Sequence, residues 1–468
     1  MMRHTLSKHG IAALVCSTFC WSATAQVQDT TTSFGYDNLG NVTRITDPLK
    51  QTTVIAYDAL SRKTDVTDPS LGLTQYVYNG LDQVTQVTDA RKIVTSYVID
   101  GLGNLKQVTS VDAGVSTNTY DEAGNVLTST DAKLQKTSYK YDALDRLTLI
   151  TLHNGATVAY QYDQGPNALG RLTSITDSNG SIAYVYDQHG RVTSETRMIA
   201  GVSYMTGYRF DSNGQFSGMT YPSGRSIEYS RDALGRINGI TTPMNGVPVP
   251  LVAQVNYEPF GPIKALTLGN GRQQTRAHDL DGRIAGFSLA AQSMAVSYDA
   301  ASRIKGIADV ANSGGGTAYG YDPLDRLTSV IAPTSAQTYS YDAVGNRKEK
   351  VNNNVVTPYK YDGPGNRLTQ VGAQVITADV NGSITNKGNA TFNYDARGRM
   401  VSANTAIGLV QYTINSLGQR VRKVTPTETT VFHYDLAGKL IAESTTTGSV
   451  TTTQEYVYLG DMPVAVLK

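Results

Sequence analysis

The sequence predicts an all-β protein built from tandem hairpins, and three observations lead to this prediction. A Tyr-Asp pair returns at a fixed interval along nearly the whole chain. Turn-forming residues follow each pair, and a second set of turn signals returns about half a period later. Between the turns, apolar and polar residues alternate, as in strands that cover one face only. No stretch carries the apolar stripe of an amphipathic helix.

The Tyr-Asp pairs set the repeat interval. Between Tyr36-Asp37 and Tyr162-Asp163 the pair, or a close variant of it, recurs about every 21 residues, and such periods mark repeat arrays. The series continues at Tyr186-Asp187, Phe210-Asp211, Arg231-Asp232, His278-Asp279, Tyr298-Asp299, Tyr321-Asp322, Tyr341-Asp342, Tyr361-Asp362, Tyr394-Asp395 and Tyr434-Asp435. We therefore interpret residues 33–461 as one array, although length alone suggests roughly three domains.

The first turn of each repeat follows the pattern D-x-x-G. Asp followed three residues later by Gly suits a type I turn that ends in a left-handed residue, which is a common three-residue hairpin loop. Where Gly is missing, Ser61, Asp145 or Asp325 takes the left-handed position. Pro364 falls at a position of "DGPG" that its fixed φ does not suit, so this turn should differ from the others.

The second turn and the strands complete the unit. Asn154-Gly155, Ser223-Gly224 and Asn270-Gly271 lie about half a period after their Tyr-Asp pairs, and such dipeptides favour hairpins. In "ATVAYQYD", Ala156, Val158, Tyr160 and Tyr162 share one face of the predicted strand. Each repeat is thus predicted to contain two strands and two turns.

The middle of the array is rich in Pro. We expect an enlarged loop near residues 241–251 ("TTPMNGVPVPL"), because this Pro-rich segment lies in the long gap between the repeats of Asp232 and Asp279. The segment "YEPFG" at 257–261 is a variant of Y-D-x-x-G with Glu in place of Asp, so it continues the repeat. No domain boundary is predicted here.

Residues 1–25 have the layout of a secretory signal peptide. Arg3 and Lys8 precede a short apolar run, and Ala23-Thr24-Ala25 provides a small-residue cleavage site. A buried helix is the alternative, but it has no reason to end in A-x-A. Residues 26–32 are a short linker, and we expect the mature protein in the periplasm, on the cell surface or secreted.

Composition excludes several classes of protein. Cys16 and Cys20 both lie in the predicted signal peptide, so the mature chain has no disulfide, thiolate metal site or cysteine nucleophile. The formal net charge of +1 becomes about −1 once Arg3 and Lys8 are removed, which argues against nucleic acid as a partner. No transmembrane segment is predicted in the mature chain.

The copies "YDALGR", "YDQHGRVTS", "YDPLDRLTSV", "YDAVGNR" and "YDARGRM" resemble the YD repeats of bacterial Rhs proteins. The resemblance covers about residues 33–461. It implies a continuous curved β-sheet that spirals into an open or partial hollow shell. In this family the shell of bacterial members commonly encloses a toxic polypeptide, and animal teneurins carry a related shell as a cell-surface scaffold.

Two departures from the family pattern limit what the resemblance implies. The sequence stops at "EYVYLGDMPVAVLK", which looks like the segment before the self-cleaving core of Rhs toxins, so residues 462–468 are predicted to be a C-terminal stub without core or toxin. The Asp-Pro pairs at Asp47, Asp68 and Asp322 lie in repeat turns and lack the Gly of a cleavage motif.

The recurrent side chains have a structural and a functional interpretation. The Tyr pairs either stack between strands or form a sugar-binding surface, and a residue required in every repeat favours stacking. Arg62, Arg146, Arg171, Arg191, Arg236, Arg303 and Arg326 follow the turns and either pair with acidic neighbours or bind acidic glycans. The segments "HDLDGRI" and "ANSGGGTAYG" lack the further ligands of a calcium loop and the helix of a phosphate loop.

No catalytic, cofactor or metal residues are predicted. His153, His189, His278 and His433 are scattered among different repeats, and no known catalytic motif is present. The first functional hypothesis is a non-enzymatic, exported shell scaffold for a toxin or other polypeptide, completed by a partner chain if the shell is partial. The alternative is an extracellular module that binds surface glycans or mediates adhesion.

Overall fold

The protein is a single antiparallel β-sheet that follows the chain from one end to the other. The structure is a computed structural model that describes residues 30–289, 291–312 and 314–468, so the predicted signal peptide lies outside the described residues. The described residues form 42 strands, and each strand pairs with its neighbours in sequence. The first and last strands do not pair with each other, so the sheet is open. The predicted all-β array of hairpins is confirmed.

We name strands β1–β24 the first winding. Its strands are β1 Ser33–Tyr36, β2 Val42–Thr46, β3 Thr52–Tyr57, β4 Lys63–Thr67, β5 Leu73–Tyr78, β6 Val84–Thr88, β7 Val94–Ile99, β8 Leu105–Ser110, β9 Gly114–Tyr120, β10 Val126–Thr130, β11 Lys136–Tyr141, β12 Leu147–Thr151, β13 Thr157–Tyr162, β14 Leu172–Asp177, β15 Gly180–Tyr186, β16 Val192–Ile199, β17 Val202–Phe210, β18 Phe216–Thr220, β19 Ser226–Arg231, β20 Ile237–Met244, β21 Val247–Tyr257, β22 Ile263–Leu268, β23 Gln273–His278 and β24 Ile284–Leu289.

Strands β25–β42 form the second winding. Its strands are β25 Gln292–Tyr298, β26 Ile304–Asp309, β27 Thr317–Tyr321, β28 Leu327–Ala332, β29 Ser335–Tyr341, β30 Arg347–Asn352, β31 Val355–Tyr361, β32 Leu368–Val371, β33 Gln374–Ala378, β34 Ile384–Lys387, β35 Ala390–Tyr394, β36 Met400–Thr405, β37 Gly408–Ile414, β38 Arg420–Val424, β39 Glu428–Tyr434, β40 Leu440–Thr447, β41 Val450–Leu459 and β42 Met462–Leu467.

The turns have the predicted chemistry. In a typical first turn the Asp142 N–H donates to the Arg146 carbonyl at 3.0 Å, and the Asp145 N–H donates back to the Asp142 carbonyl at 3.1 Å. Ser61, Asp145 and Asp325 have φ of 63°, 58° and 60°, which confirms their left-handed position. A register shift before the Tyr of each pair, as between Lys140 and Tyr141, is the bulge that such loops produce.

The turn that contains Pro364 differs from the others, as predicted. The Asp362 N–H donates to the carbonyl of Arg367, five residues on, at 3.0 Å. Typical first turns close four residues after the Asp, so this loop holds one extra residue. The consequence is that Gly365 and Asn366 are displaced from the usual turn path and contact the first winding.

The expected enlarged loop at 241–251 is wrong. Strands β20 and β21 run through this segment and are joined by a tight turn at Asn245-Gly246, with φ of 52° and 79°. Pro243 lies opposite Pro248, one residue out from the pair that closes the turn. Residues 243 and 248 form a non-hydrogen-bonded pair of the antiparallel ladder. The missing N–H of each Pro therefore removes no hydrogen bond between β20 and β21.

The C-terminal residues also depart from the expectation of a stub. Residues 462–467 form β42, which pairs with β41 through Leu459↔Met462 and Glu455↔Leu467. Val464 packs against the main hydrophobic core. The last residues therefore continue the sheet.

The main core lies where the two windings meet. It joins buried residues of β17–β22, such as Ile227 and Ile240, to buried residues of β40–β41, such as Ile441 and Val457. A smaller cluster around Ile150, by contrast, lies within the first winding. Among the described residues, no helix has the length and hydropathy to cross a membrane.

Candidate functional site

Tyr hydroxyls tie each strand to its neighbour at the Tyr-Asp end of the repeat. Fourteen Tyr hydroxyls in the described part of the chain donate to a backbone carbonyl near the start of the preceding strand, at 2.6–3.1 Å. They belong to Tyr57, Tyr78, Tyr120, Tyr141, Tyr162, Tyr186, Tyr257, Tyr298, Tyr321, Tyr341, Tyr361, Tyr394, Tyr434 and Tyr458. These contacts give the Tyr residues a structural role, but it is not the predicted one. The ring contacts among the described residues include no Tyr stacked on another Tyr, so stacking between strands is wrong and the hydroxyl hydrogen bonds take its place.

Arg146 shows how the turns are joined along the edge of the sheet. Its Nε donates to Asp142 Oδ2 in its own turn at 2.7 Å, and its Nη2 donates to Asp163 Oδ2 in the next turn at 2.7 Å. The guanidinium lies 4.4 Å from the ring centroid of Tyr162, a cation–π contact. One side chain therefore connects two turns and a Tyr.

The other predicted Arg residues lie in equivalent places. All seven lie over the next aromatic ring, and six of them also donate to the Asp of their own turn: Arg62, Arg146, Arg191, Arg236, Arg303 and Arg326. Arg171, in the longest turn, instead donates to the carbonyls of Asn167 and Leu169 at 3.1 and 3.0 Å.

These contacts perturb the ionisation of both partners. The hydrogen bonds from the Arg62 side chain and backbone lower the pKa of Asp58. Burial raises the pKa of Tyr162, although Arg146 acts in the opposite direction. The turn carboxylates are thus held ionised and the Tyr hydroxyls protonated, which suits a permanent structural role and not proton transfer.

A seam of polar contacts joins the two windings. Arg91 Nη1 donates to the Gly365 carbonyl and to Asn366 Oδ1, both at 2.8 Å. The Asn366 amide Nδ2 donates to Asp89 Oδ2 at 3.2 Å, and its backbone N–H donates to Asp112 Oδ1 at 2.6 Å. The displaced Pro364 turn is thus fixed onto second turns of the first winding.

The seam continues along the following repeats. Lys133 forms an ion pair with Asp379. Further cross-winding hydrogen bonds run from Asn381 Nδ2 to Asp131 Oδ2 at 2.7 Å, from Asn179 Nδ2 to the Ile414 carbonyl at 2.9 Å, from Tyr221 to the Tyr456 carbonyl at 2.9 Å, and from Tyr229 to the Tyr458 carbonyl at 3.1 Å. The seam hydrogen bonds described so far join residues 229 to 277 positions apart, so the sheet spirals onto itself.

Charged residues are buried at the centre of the seam. Arg197 donates to Glu195, and its Nη1 donates to Gln419 Oε1 at 2.8 Å. Burial raises the pKa of Glu195, and the Arg197 charge opposes that shift. The ring of His433 lies 4.7 Å from that of Tyr204, and burial followed by the Arg197 charge lowers the pKa of His433 to about 4.

A second buried carboxylate lies further along the seam. Glu455 is 1% exposed, accepts a 2.5 Å hydrogen bond from the Ser223 hydroxyl, and forms a 3.0 Å ion pair with Arg225. A buried charge is tolerated when it is paired and hydrogen-bonded. Sequence reasoning missed Glu455 and the role of His433, because their partners lie more than two hundred residues away. It also missed Glu195, whose partner Arg197 is only two residues away, because the burial of the pair depends on the second winding.

Two cavities open at the seam. A polar cavity of about 330 Å³ has Tyr139, Asp131, Lys133 and Arg397 in its walls. An aromatic cavity of about 380 Å³ lies between β17–β20 and the turn after Tyr434. No three His, Cys, Asp or Glu residues of the described chain are grouped to hold a metal ion.

Comparison with known proteins places these features in context. The teneurin YD-shell family model matches residues 288–452, and the RHS repeat model matches residues 120–152, 167–197 and 210–243. No curated protein matches the chain in sequence.

Solved structures share the fold. A chain of the Photorhabdus luminescens Tc holotoxin pore, mutant TccC3-D651A, is 17% identical over 91% of this chain, with a TM-score of 0.78. The TcdB2-TccC3 crystal structure is 16% identical over 92%, with a TM-score of 0.67, and its complex with Cdc42 is 16% identical over 91%, with a TM-score of 0.66. This chain covers 27%, 30% and 29% of those chains, respectively, so it spans less than a third of their length.

Proposed function

Because the chain belongs to the Rhs/YD-repeat family, we propose that it is a non-enzymatic β-shell scaffold that encloses or presents another polypeptide. The observation that carries the proposal is the seam, which holds successive windings of one sheet together. A sheet that spirals in this way can enclose an interior space, and its strands already have their backbone N–H and C=O groups hydrogen-bonded to neighbouring strands. The predicted signal peptide supports an exported location for this shell.

The chemistry of the repeats supports a passive role. The Asp, Arg and Tyr side chains that recur along the array bind one another, as in the group of Asp142, Arg146 and Tyr162. The buried Glu195 and Glu455 are each paired with an Arg. Titratable groups at an active site are usually free to exchange protons or to contact a substrate.

A partner chain that completes the shell has a suitable edge to bind. At the Tyr-Asp turns of the first winding, nine large apolar side chains of the described residues are each at least 60% exposed. They are Leu39, Leu60, Leu81, Leu102, Leu144, Leu169, Leu234, Phe260 and Leu280. At the equivalent position of the second winding, Leu324 and Val344 are half-buried and Leu417 is 47% exposed. We propose that the turn edge of another repeat strip covers this row, as in the seam.

Protease protection tests the enclosure. The exported protein is purified from its native host, treated with protease, unfolded and analysed by mass spectrometry. We expect a polypeptide distinct from the repeats to survive inside the intact shell. A double variant that opens the seam, Arg91→Ala with Asn366→Ala, should expose it, whereas Arg272→Ala, which removes an exposed side chain, should not. If no polypeptide survives in the intact protein, enclosure is wrong.

Glycan binding remains the second candidate, and the polar cavity favours it. Tyr139 offers a ring face there, and Asp131, Lys133 and Arg397 offer charged hydrogen-bond partners, a combination that suits a sugar acid. A glycan array with the intact protein tests this role. Binding that is lost in Arg397→Ala would support it, and an array without binding would contradict it.

A further inference from the structure

The aromatic cavity combines apolar walls with one carboxylate. Phe216 is at the centre of its aromatic side, with ring centroids 6.2 Å from Phe210 and 5.4 Å from Tyr229. Tyr458 and Ile441 face them from the second winding. The volume of about 380 Å³ is in the range of natural small-ligand sites.

Asp435 lines this cavity and is unlike most other turn aspartates. Its Oδ1 accepts the usual backbone N–H groups of Ala437 and Lys439, at 2.9 and 2.8 Å. In the turn of Asp395, the Arg four residues later donates to the second oxygen, Oδ2. Asp435 Oδ2 receives no hydrogen bond from the described residues, so it is available to a ligand.

The substitution of Arg by Lys explains why Asp435 is left free. Lys439 occupies the position of the Arg, but its Nζ donates to the Gly460 carbonyl at 2.8 Å and pairs with Asp461 at 2.7 Å. A Lys ammonium has no second arm with which to reach a further acceptor, as the Arg fork does. The carboxylate of Asp435 therefore lacks a counter-ion.

The surrounding charges leave the cavity negative. Lys439 is neutralised by Asp461, and Glu195 nearby is neutralised by Arg197. The aromatic walls already contact two cations. The Arg191 guanidinium lies 4.4 Å from the centroid of Phe210, outside the cavity, and the Lys439 ammonium, which is paired with Asp461, lies 5.8 Å from the centroid of Tyr458. Ring faces and a carboxylate together are the means by which proteins hold organic cations.

We propose that this cavity binds an organic ammonium ion with an apolar body. The ammonium group lies beside Asp435 Oδ2 and over the ring faces, and the apolar body packs on Met219 and Ile441. A free aryl or alkyl amine and a lysine side chain of a bound polypeptide offer the same chemistry. The site does not depend on enclosure, because a small amine is sufficient to occupy it.

Calorimetric titration of the purified chain with phenethylamine tests the site, with 2-phenylethanol as the uncharged probe of similar shape. We expect the amine to bind at least about tenfold more tightly than the alcohol. Asp435→Asn should weaken amine binding by about tenfold or more. Asn keeps the turn, because Asn79 and Asn415 occupy the same place in other repeats with the same backbone hydrogen bonds.

Asp100→Asn is the matched control, because it removes a turn carboxylate far from the cavity and should leave amine binding unchanged. Equal binding of amine and alcohol, no binding of the amine, or an unaltered affinity in Asp435→Asn would each overturn the proposal. Nα-acetyl-lysine methylamide distinguishes the sources. If it binds as well as phenethylamine, the ligand is a lysine side chain, and if only phenethylamine binds, the ligand is a free amine.

Discussion

The hydroxyl of Tyr162 donates a 3.0 Å hydrogen bond to the backbone carbonyl of Leu147, fifteen residues earlier. Leu147 lies beyond Leu149, the last residue of β12 that pairs with β13. The two strands separate there, because β13 continues into its pairing with β14. The Tyr hydroxyl thus closes the gap between diverging strands, which explains why nearly every repeat retains the residue.

Replacing Tyr162 by Phe should loosen this end of the hairpin. The Leu147 carbonyl would lose its partner, at an expected cost of about 1 kcal/mol. Hydrogen–deuterium exchange of the β12–β13 hairpin should therefore be faster in the variant. Tyr139→Phe is the control, since no hydrogen bond of the Tyr139 hydroxyl is found among the described residues. Equal exchange in both variants would contradict the role of the hydroxyl.

Replacing Arg146 by Lys should separate two neighbouring turns. Lys has one ammonium group, so it cannot bind Asp142 and Asp163 together while stacking on Tyr162. We expect a small loss of stability, because exposed ion pairs contribute little, seen as a lower urea midpoint. Arg272→Lys, at an exposed position without such partners, should leave the midpoint unchanged. A smaller difference at high salt would identify the ionic part of the effect.

The local unit of this protein is readable from its sequence, because its causes are local. Asp145 and Ser61 were placed correctly in the left-handed region, since the turn pattern requires it. The Pro-rich segment that contains Pro243 and Pro248 was wrongly predicted to be a loop. Whether the two Pro residues fit into strands depends on the register of β20 and β21, which places them opposite each other. A sequence shows where a Pro could interrupt a strand. It does not show whether that Pro occupies a hydrogen-bonded or a non-hydrogen-bonded position of the ladder.

The seam was not predictable in the same way. Contacts such as Arg91 with Asn366 depend on how far the sheet has curved over the residues between them. Small differences of twist at each strand accumulate over such a distance. The periodic residues therefore identify the strip, whereas the residues that join its windings, such as Arg197 and His433, look unremarkable in sequence.

Replacing Leu134 by Gly should stabilise the protein. Leu134 is highly exposed and has a φ of 61°, a left-handed conformation that costs a non-glycine residue about 1 kcal/mol. Glycine removes this cost, and little packing is lost. Leu144→Gly is the matched control, because Leu144 is also highly exposed, but it is not among the residues with positive φ. The first variant should raise the thermal midpoint and the second should lower it, and a decrease in both would contradict the prediction.

Replacing His433 by Phe should reduce the loss of stability in acid. Burial and the Arg197 charge lower the pKa of folded His433 from 6.5 to about 4. The unfolded chain therefore binds a proton at His433 more readily than the folded chain does. The contribution of neutral His433 to the free energy of unfolding is fully present above pH 6.5 and declines as the pH falls from 6.5 to about 4. The full loss is on the order of 3 kcal/mol.

Urea unfolding of the His433→Phe variant and of the unaltered protein at several pH values measures how the free energy of unfolding depends on pH. As the pH falls from 6.5 to about 4, this free energy should fall less steeply in the variant. Arg197 acts on His433, and the buried pair of Glu195 and Arg197 is present in both proteins, so its own titration cancels in the comparison. His189→Phe, at an exposed turn, should retain the slope of the unaltered protein. Parallel slopes for the His433 variant and the unaltered protein would show that the histidine titrates alike in both states, and hence that the seam is open to water at this point.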